Sequence, residues 1–228
     1  MTSIAKHAVL WDVDGTLSDS YLLGYTCTLK VLERNDLPSI TEEQYHAGTK
    51  YPTPDRFAWH VTGNSQDKIG VDLGRQFDDM YVGLVSMETA GLFPGILNLL
   101  QELKAKLGDD LVLGALSNAC GSYARAVLQA NGVSSLFAVT YGADDVPAAK
   151  PKPDGLLACM SELNLHASQC IYIGDSPTDG QAAEAAGMRS VGVTWGSHTV
   201  DTVVPAFTHT AYSVEELKLY IEKLMRES

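Results

Sequence analysis

The sequence predicts an α/β protein: a parallel sheet with helices on both faces, into which an all-helical segment is inserted. Two patterns point to it. Short apolar runs bounded by turn residues recur at Ala8–Val13, Leu111–Leu116, Ala138–Tyr141, Cys170–Ile173 and Ser190–Val193, and helix-like stretches separate the later ones. Strands alternating with helices mean a parallel sheet. Between Asp14 and Leu111 lies a gap far longer than one crossover, and its apolar residues recur at helical spacing.

The first strand ends Ala8-Val9-Leu10-Trp11, a continuous apolar run of the kind buried in a parallel sheet. Asp12-Val13-Asp14-Gly15-Thr16 follows. Side chains at i and i+2 of an extended chain share a face, so Asp12 and Asp14 are expected to point at one site. Ligands in such sheets bind at the carboxyl ends of the strands. Two carboxylates this close repel unless a cation or a proton separates them, although Asp-Gly is also an ordinary turn signal.

Residues 18–92 read as the helical insertion, leaving 1–17 and 93–228 as the sheet domain. Within the insertion Tyr21–Glu33 is periodic, Thr41-Glu42-Glu43-Gln44 has the form of a capping box, and Arg56–Val61 and Gln66–Met87 carry helical spacing. Leu92-Phe93-Pro94-Gly95 returns the chain, and Gly95–Leu107 is a helix leading to the second strand.

The second strand ends in Ser117-Asn118, a hydroxyl and an amide that can both donate to an anion or simply turn the chain. Ser122–Asn131 is a helix closed by Gly132. In Ala149-Lys150-Pro151-Lys152-Pro153-Asp154 two prolines stiffen the segment. A lysine fixed there suits a phosphate or carboxylate as a point charge; a solvated loop is the other reading. Pro153–Leu163 is the next helix, with proline at its entry. The strand Cys170–Ile173 runs into Gly174-Asp175-Ser176-Pro177-Thr178-Asp179, where Ser176 caps a helix and Asp179 stands in its first turn. Carboxylates at a strand end beside another acidic pair suit a hard cation. Ser213-Val214-Glu215-Glu216 caps the last helix, Leu217–Met225.

Composition narrows the function classes. A net charge of −12 over 228 residues disfavours nucleic acid and anionic membrane surfaces, which recruit basic patches. An anionic substrate must then be held by a metal or a few placed cations. No apolar stretch approaches the roughly 20 residues that span a bilayer, and the N-terminal residues lack a signal-peptide core, so a cytoplasmic protein is expected. The four cysteines form no C-x-x-C pair and read as small buried hydrophobes. His46, His60, His166, His198 and His209 show no ligand spacing and read as structural.

Taken together, Asp12-Val13-Asp14-Gly15-Thr16, Ser117-Asn118, Lys150-Pro151-Lys152-Pro153 and Gly174-Asp175-Ser176-Pro177-Thr178-Asp179 resemble, in order, the four motifs of the haloacid dehalogenase superfamily. The resemblance covers essentially the whole chain and is nearest the phosphoglycolate phosphatase and β-phosphoglucomutase branch. It implies a Rossmann-like core with a helical cap inserted between the first and second motifs. It implies Asp12 as the nucleophile that becomes an aspartyl-phosphate, and Asp14 as general acid and base. Ser117, Asn118 and Lys150 would bind phosphate, Lys150 rather than Lys152 standing at the motif's lysine position. Asp12, the Asp14 carbonyl and Asp175 would hold Mg2+, supported by Gly15, Thr16 and Asp179.

The implied substrate is a small phosphorylated metabolite, and the implied assembly a monomer or homodimer. A phosphosugar mutase and a non-catalytic binding protein of the same fold are the alternatives. Trp11 and Val13 flank the first aspartate where Phe and Leu are usual, and Ala119 follows Asn118 where Lys is typical of bacterial phosphoglycolate enzymes. Within the cap, Gly48 is expected to let backbone approach a ligand, and Lys50 and Arg56 to bind a substrate carboxylate or second phosphate.

Overall fold

The computed structural model describes residues 7–226; the outermost residues of the expected boundaries, 1–6 and 227–228, lie outside them. Strand β1 (His7–Trp11) leads to a two-residue strand β2 (Ser18–Asp19). Four helices follow: α1 (Tyr21–Arg34), α2 (Glu42–Gly48), α3 (Thr53–Thr62) and α4 (Ile69–Gly83). After β3 (Gly91–Leu92) come α5 (Ile96–Leu107), β4 (Leu111–Leu116), α6 (Gly121–Ala130), β5 (Phe137–Tyr141) and α7 (Asp154–Leu163). The chain closes with β6 (Cys170–Gly174), α8 (Pro177–Ala185), β7 (Arg189–Val193), α9 (Val200–Val203), β8 (His209–Ala211) and α10 (Val214–Arg226). No helix among these is long and apolar enough to cross a membrane.

Six strands form one parallel sheet in the order β5-β4-β1-β6-β7-β8. β1 is central, with Ala8 to Trp11 wholly buried, which explains its continuous apolar run. Alternation divides its side chains between two layers. Val9 and Trp11 join Leu113, Ile171 and Val191 under α5, α6 and α10. Ala8 and Leu10 join Cys170 and Tyr172 under α7 and α8.

The inserted helices pack on one another: Phe57 of α3 and Phe77 of α4 have ring centroids 5.5 Å apart. Their buried face continues the layer above α5, α6 and α10. The box at Thr41 and Gln44 caps α2 as its sequence pattern indicated. The antiparallel ribbon Ser18↔Leu92, Asp19↔Gly91 was not legible, because two-residue strands cannot show an alternation. It brackets the four helices, so the chain leaves and re-enters the sheet region side by side. All four cysteines are buried free thiols.

Candidate functional site

A cavity of about 460 Å3 opens at the carboxyl ends of β1, β4 and β6, with α2, α3 and α4 on its far side. The loop after β1 forms its floor. The Asp12 amide extends the sheet by donating to the Ile173 carbonyl at 2.8 Å, and Leu17 and Ser18 both donate back to the Val13 carbonyl. Gly15 sits at φ 77°, and a side chain there would run into the Asp175 carboxylate, so position 15 requires glycine twice over.

Asp12, 5% exposed, faces Lys150, 4% exposed. The Lys150 ammonium donates to Asp12 Oδ1 (2.5 Å), Asp179 Oδ1 (2.7 Å), the Tyr172 hydroxyl (3.0 Å) and the Leu116 carbonyl (3.3 Å). Burial alone would depress its pKa, but Asp12 and Asp179 more than reverse this and hold it charged. Burial likewise opposes ionisation of Asp179, and Lys150 with Ser176 and Tyr172 holds its carboxyl below the usual range. Asp12 is driven the other way: burial, then Asp179, pushes it well above the usual range despite Lys150.

The donor set fits a metal. Asp12, Asp175 and Asp179 place carboxylate oxygens within 4.8 Å of one another, the group among the described residues that could hold one. One ammonium does not balance three buried carboxylates, and the upward displacement of Asp12 records the deficit that a hard cation would cancel. Asp179 uses both oxygens on neighbours, Oδ1 for Lys150 and Tyr172 and Oδ2 for Ser176. It therefore supports rather than heads the cluster. Asp175 Oδ2 accepts from the Ser197 amide at 3.0 Å.

Asp12 and Asp14 line the same cavity, as expected, but they engage different partners. β1 ends at Trp11, so strand alternation no longer governs the turn. Asp12 turns to Lys150, while Asp14 turns to four hydroxyls. Its Oδ1 accepts from Ser20 (2.6 Å), Tyr123 (2.7 Å) and Tyr81 (3.0 Å), and its Oδ2 from Ser117 (3.0 Å). Ser117 is thereby engaged, its oxygen also accepting from the Ala119 amide.

Asn118 also lines the cavity. Its amide donates to the Lys150 carbonyl (3.0 Å) and accepts from the Lys150 amide (2.9 Å). Both halves of the amide therefore fix the lysine's backbone, and one amide hydrogen remains unused among the described residues. Thr16 is fully buried with its hydroxyl unpartnered, and its carbonyl accepts from the Trp195 indole at 3.1 Å.

On the helical side only one of the three expected residues reaches the cavity. Arg56 lines it, 8% exposed. Its guanidinium lies 4.5 Å from the Phe77 ring centroid and 5.2 Å from that of Tyr45, with Nε and Nη2 unpartnered. Lys50 is exposed and rests over Tyr51 and Trp59 outside the lining. Gly48 is buried, and a Cβ there would come within 2.6 Å of His60 Cε1. Its smallness therefore admits the imidazole rather than a ligand.

Sequence reasoning missed Ser20, Tyr81 and Tyr123, and treated His46 and His198 as structural. The two histidines line the cavity with rings 5.0 Å apart. His46 Nε2 donates to the Ser197 carbonyl at 2.8 Å, and His198 Nδ1 lies 3.5 Å from Asp175 Oδ2. Neither pair is close in sequence, and a tyrosine on a helix's apolar face reads as core.

A parallel sheet with acids at its strand ends, a buried lysine and an inserted helical segment defines a class of α/β hydrolases. The chain belongs to the haloacid dehalogenase-like hydrolases, whose family model matches residues 9–193. It is 31% identical over 202 residues to a protein of Dickeya dadantii (strain 3937) named "Probable phosphatase IndB", covering 88% of this chain and 86% of that one. It is 38% identical over 122 residues to the phosphoglycolate phosphatase of Escherichia coli (strain K12), a match spanning 54% of this chain and 47% of that protein. Among solved structures, a haloacid dehalogenase-like protein of Bacteroides fragilis superposes with a TM-score of 0.82 at 26% identity, covering 92% of this chain and 99% of that one.

Proposed function

We propose that the protein is a Mg2+-dependent phosphatase that hydrolyses a small phosphomonoester through an aspartyl-phosphate on Asp12. The substrate would be of phosphoglycolate or sugar-phosphate type. The observation that carries this reading is the buried group of Asp12, Asp175 and Lys150 in one cavity with Asp14, with Asp179 fully buried behind Lys150.

In the first half-reaction a carboxylate oxygen of Asp12 attacks phosphorus. The bond to the leaving alcohol oxygen breaks, and Asp14 supplies that oxygen's proton. In the second, Asp14 takes a proton from water, whose oxygen attacks phosphorus and releases Asp12. Lys150 balances the phosphoryl oxygens and keeps Asp12 oriented. Mg2+ would be held by Asp12, Asp175 and the Asp14 carbonyl, with Asp179 in support; bound there, it supplies positive charge between Asp12 and the incoming phosphate.

Residues 18–92 form a cap in this reading, and residues 1–17 and 93–228 the core. A cap excludes water and reads the rest of the substrate. Arg56 supplies the reading group: a buried guanidinium with unused donors suits a carboxylate or second phosphate at the substrate's far end.

Phosphate release from a panel of small phosphomonoesters, including 2-phosphoglycolate and sugar phosphates, tests this with Mg2+ and then with EDTA. Release should require Mg2+ and favour substrates bearing a second anion. No release from any member by folded, Mg2+-loaded protein would overturn the reading.

A further inference from the structure

We infer that Tyr81 is a positioning residue for Asp14, holding it in the orientation in which it acts as a base. Tyr81 thereby makes the second half-reaction depend on seating of the inserted helices. The inference rests on the phosphatase reading above.

Three hydroxyls converge on Asp14 Oδ1, from Ser20, Tyr81 and Tyr123, and a fourth, from Ser117, reaches Oδ2. A serine or tyrosine hydroxyl has one hydrogen to give. The three donors fix Oδ1 in place and leave Oδ2, which accepts from Ser117 alone, as the less crowded oxygen to meet water. Burial, and then the Asp14 charge itself, raises the phenols of Tyr81 and Tyr123 well above their usual range, so both remain donors.

The donors come from different parts of the molecule. Tyr123 is on α6, against the sheet, and Tyr81 is on α4, within the insertion. Their rings stack with centroids 3.8 Å apart and planes 9° from parallel. Tyr81 thus reaches Asp14 only when α4 lies against α6. The cradle is complete when the insertion is seated and loses a donor when it lifts. Loops or helices that complete a catalytic group on closure exclude water and assemble the site in one motion.

The test is Tyr81→Phe in the full chain, which keeps the stacked ring and removes the hydroxyl. The substrate is p-nitrophenyl phosphate, whose leaving group needs little protonation, so the first half-reaction should proceed normally. Hydrolysis of the aspartyl-phosphate should slow: kcat falls about tenfold while kcat/KM stays within about twofold. A pre-steady-state burst of p-nitrophenolate should accompany this, approaching one per protein. Tyr123→Phe should show the same split. Tyr25→Phe, which removes a hydroxyl bonded to the Ile40 carbonyl in the same insertion, should show none. An unchanged kcat in Tyr81→Phe overturns the inference, as does a parallel fall in kcat and kcat/KM without a burst. A wild-type protein that releases no p-nitrophenolate overturns the phosphatase reading itself.

Discussion

Burial and then Asp179 disfavour the ionised form of Asp12, and Lys150 opposes them. Asp12→Asn removes the nucleophile and one of three crowded carboxylates together. Turnover should fall more than a hundredfold. In EDTA the variant should melt no lower than the wild type, because the ionised form it replaces is disfavoured by burial and by Asp179. Mg2+ should raise the wild-type melting temperature, since a ligand of the native state stabilises it, and should do so far less in Asp12→Asn; differential scanning fluorimetry reads both. Lys150→Met goes the other way. It leaves Asp12 and Asp179 buried without their cation, which costs about 3–5 kcal/mol and should appear as a lower urea midpoint as well as lost activity. Arg56→Ala should raise KM for a substrate with a second anion more than for p-nitrophenyl phosphate, whereas Lys50→Ala should change neither; equal effects of the two would remove Arg56 from the site. At this scale the sequence was legible where chemistry and local chain coincide. Asp12 and Asp175 directly follow β1 and β6, Asp179 stands in the first turn of α8, and Lys150 stands at the proline-stiffened entry to α7. Tyr81 and Tyr123 meet Asp14 across 67 and 109 residues, and nothing in an apolar helix face announces a hydroxyl's destination.

Among elements, the five apolar runs became five neighbouring strands, because side chains alternating between two covered faces leave no polar side to interrupt a run. Features that depend on packing between elements were not legible. Two of them set the pH dependence of α3 and α4. His60 on α3 is pushed down to about 4 by burial and then by Arg56. Unfolded chains take up that proton near 6.5, so its contribution to stability is lost as pH falls from about 6.5 to 4. Asp78 on α4 is pushed up to about 6, chiefly by burial, with Oδ1 unpartnered. Unfolded chains release that proton near 3.8, so stability is lost as pH rises from 3.8 to about 6. The two slopes oppose each other in the wild type. Asp78→Asn should raise the melting temperature by a few degrees at pH 7 and not below pH 4. His60→Gln should flatten the fall on the acid side. Thermal melts at several pH values separate them, and identical profiles for both variants would refute the assignments.

The whole molecule carries a net charge of −12, yet the cavity gathers Lys150 and Arg56 among its walls. Attraction for an anion is therefore local and repulsion general. For a dianionic phosphomonoester kcat/KM should rise a few-fold as ionic strength increases from about 0.01 to 0.15 M, over which the Debye length shortens from about 30 to 8 Å. A fall would mean that the local cations dominate even at long range.

The ribbon has a consequence for engineering. Ser18 Oγ donates to the Ala90 carbonyl at 2.9 Å, and Asn131 at the end of α6 clasps the same carbonyl and the Leu92 amide. Asp19 and Gly91 are thus paired neighbours fastened to the sheet domain. An Asn-Gly turn joining them would close a hairpin with ordinary geometry. The four helices between them are, in chain terms, a detachable cassette. A replacement segment grafted at that rung must still cover the apolar layer that Phe77 and Tyr81 share with α6.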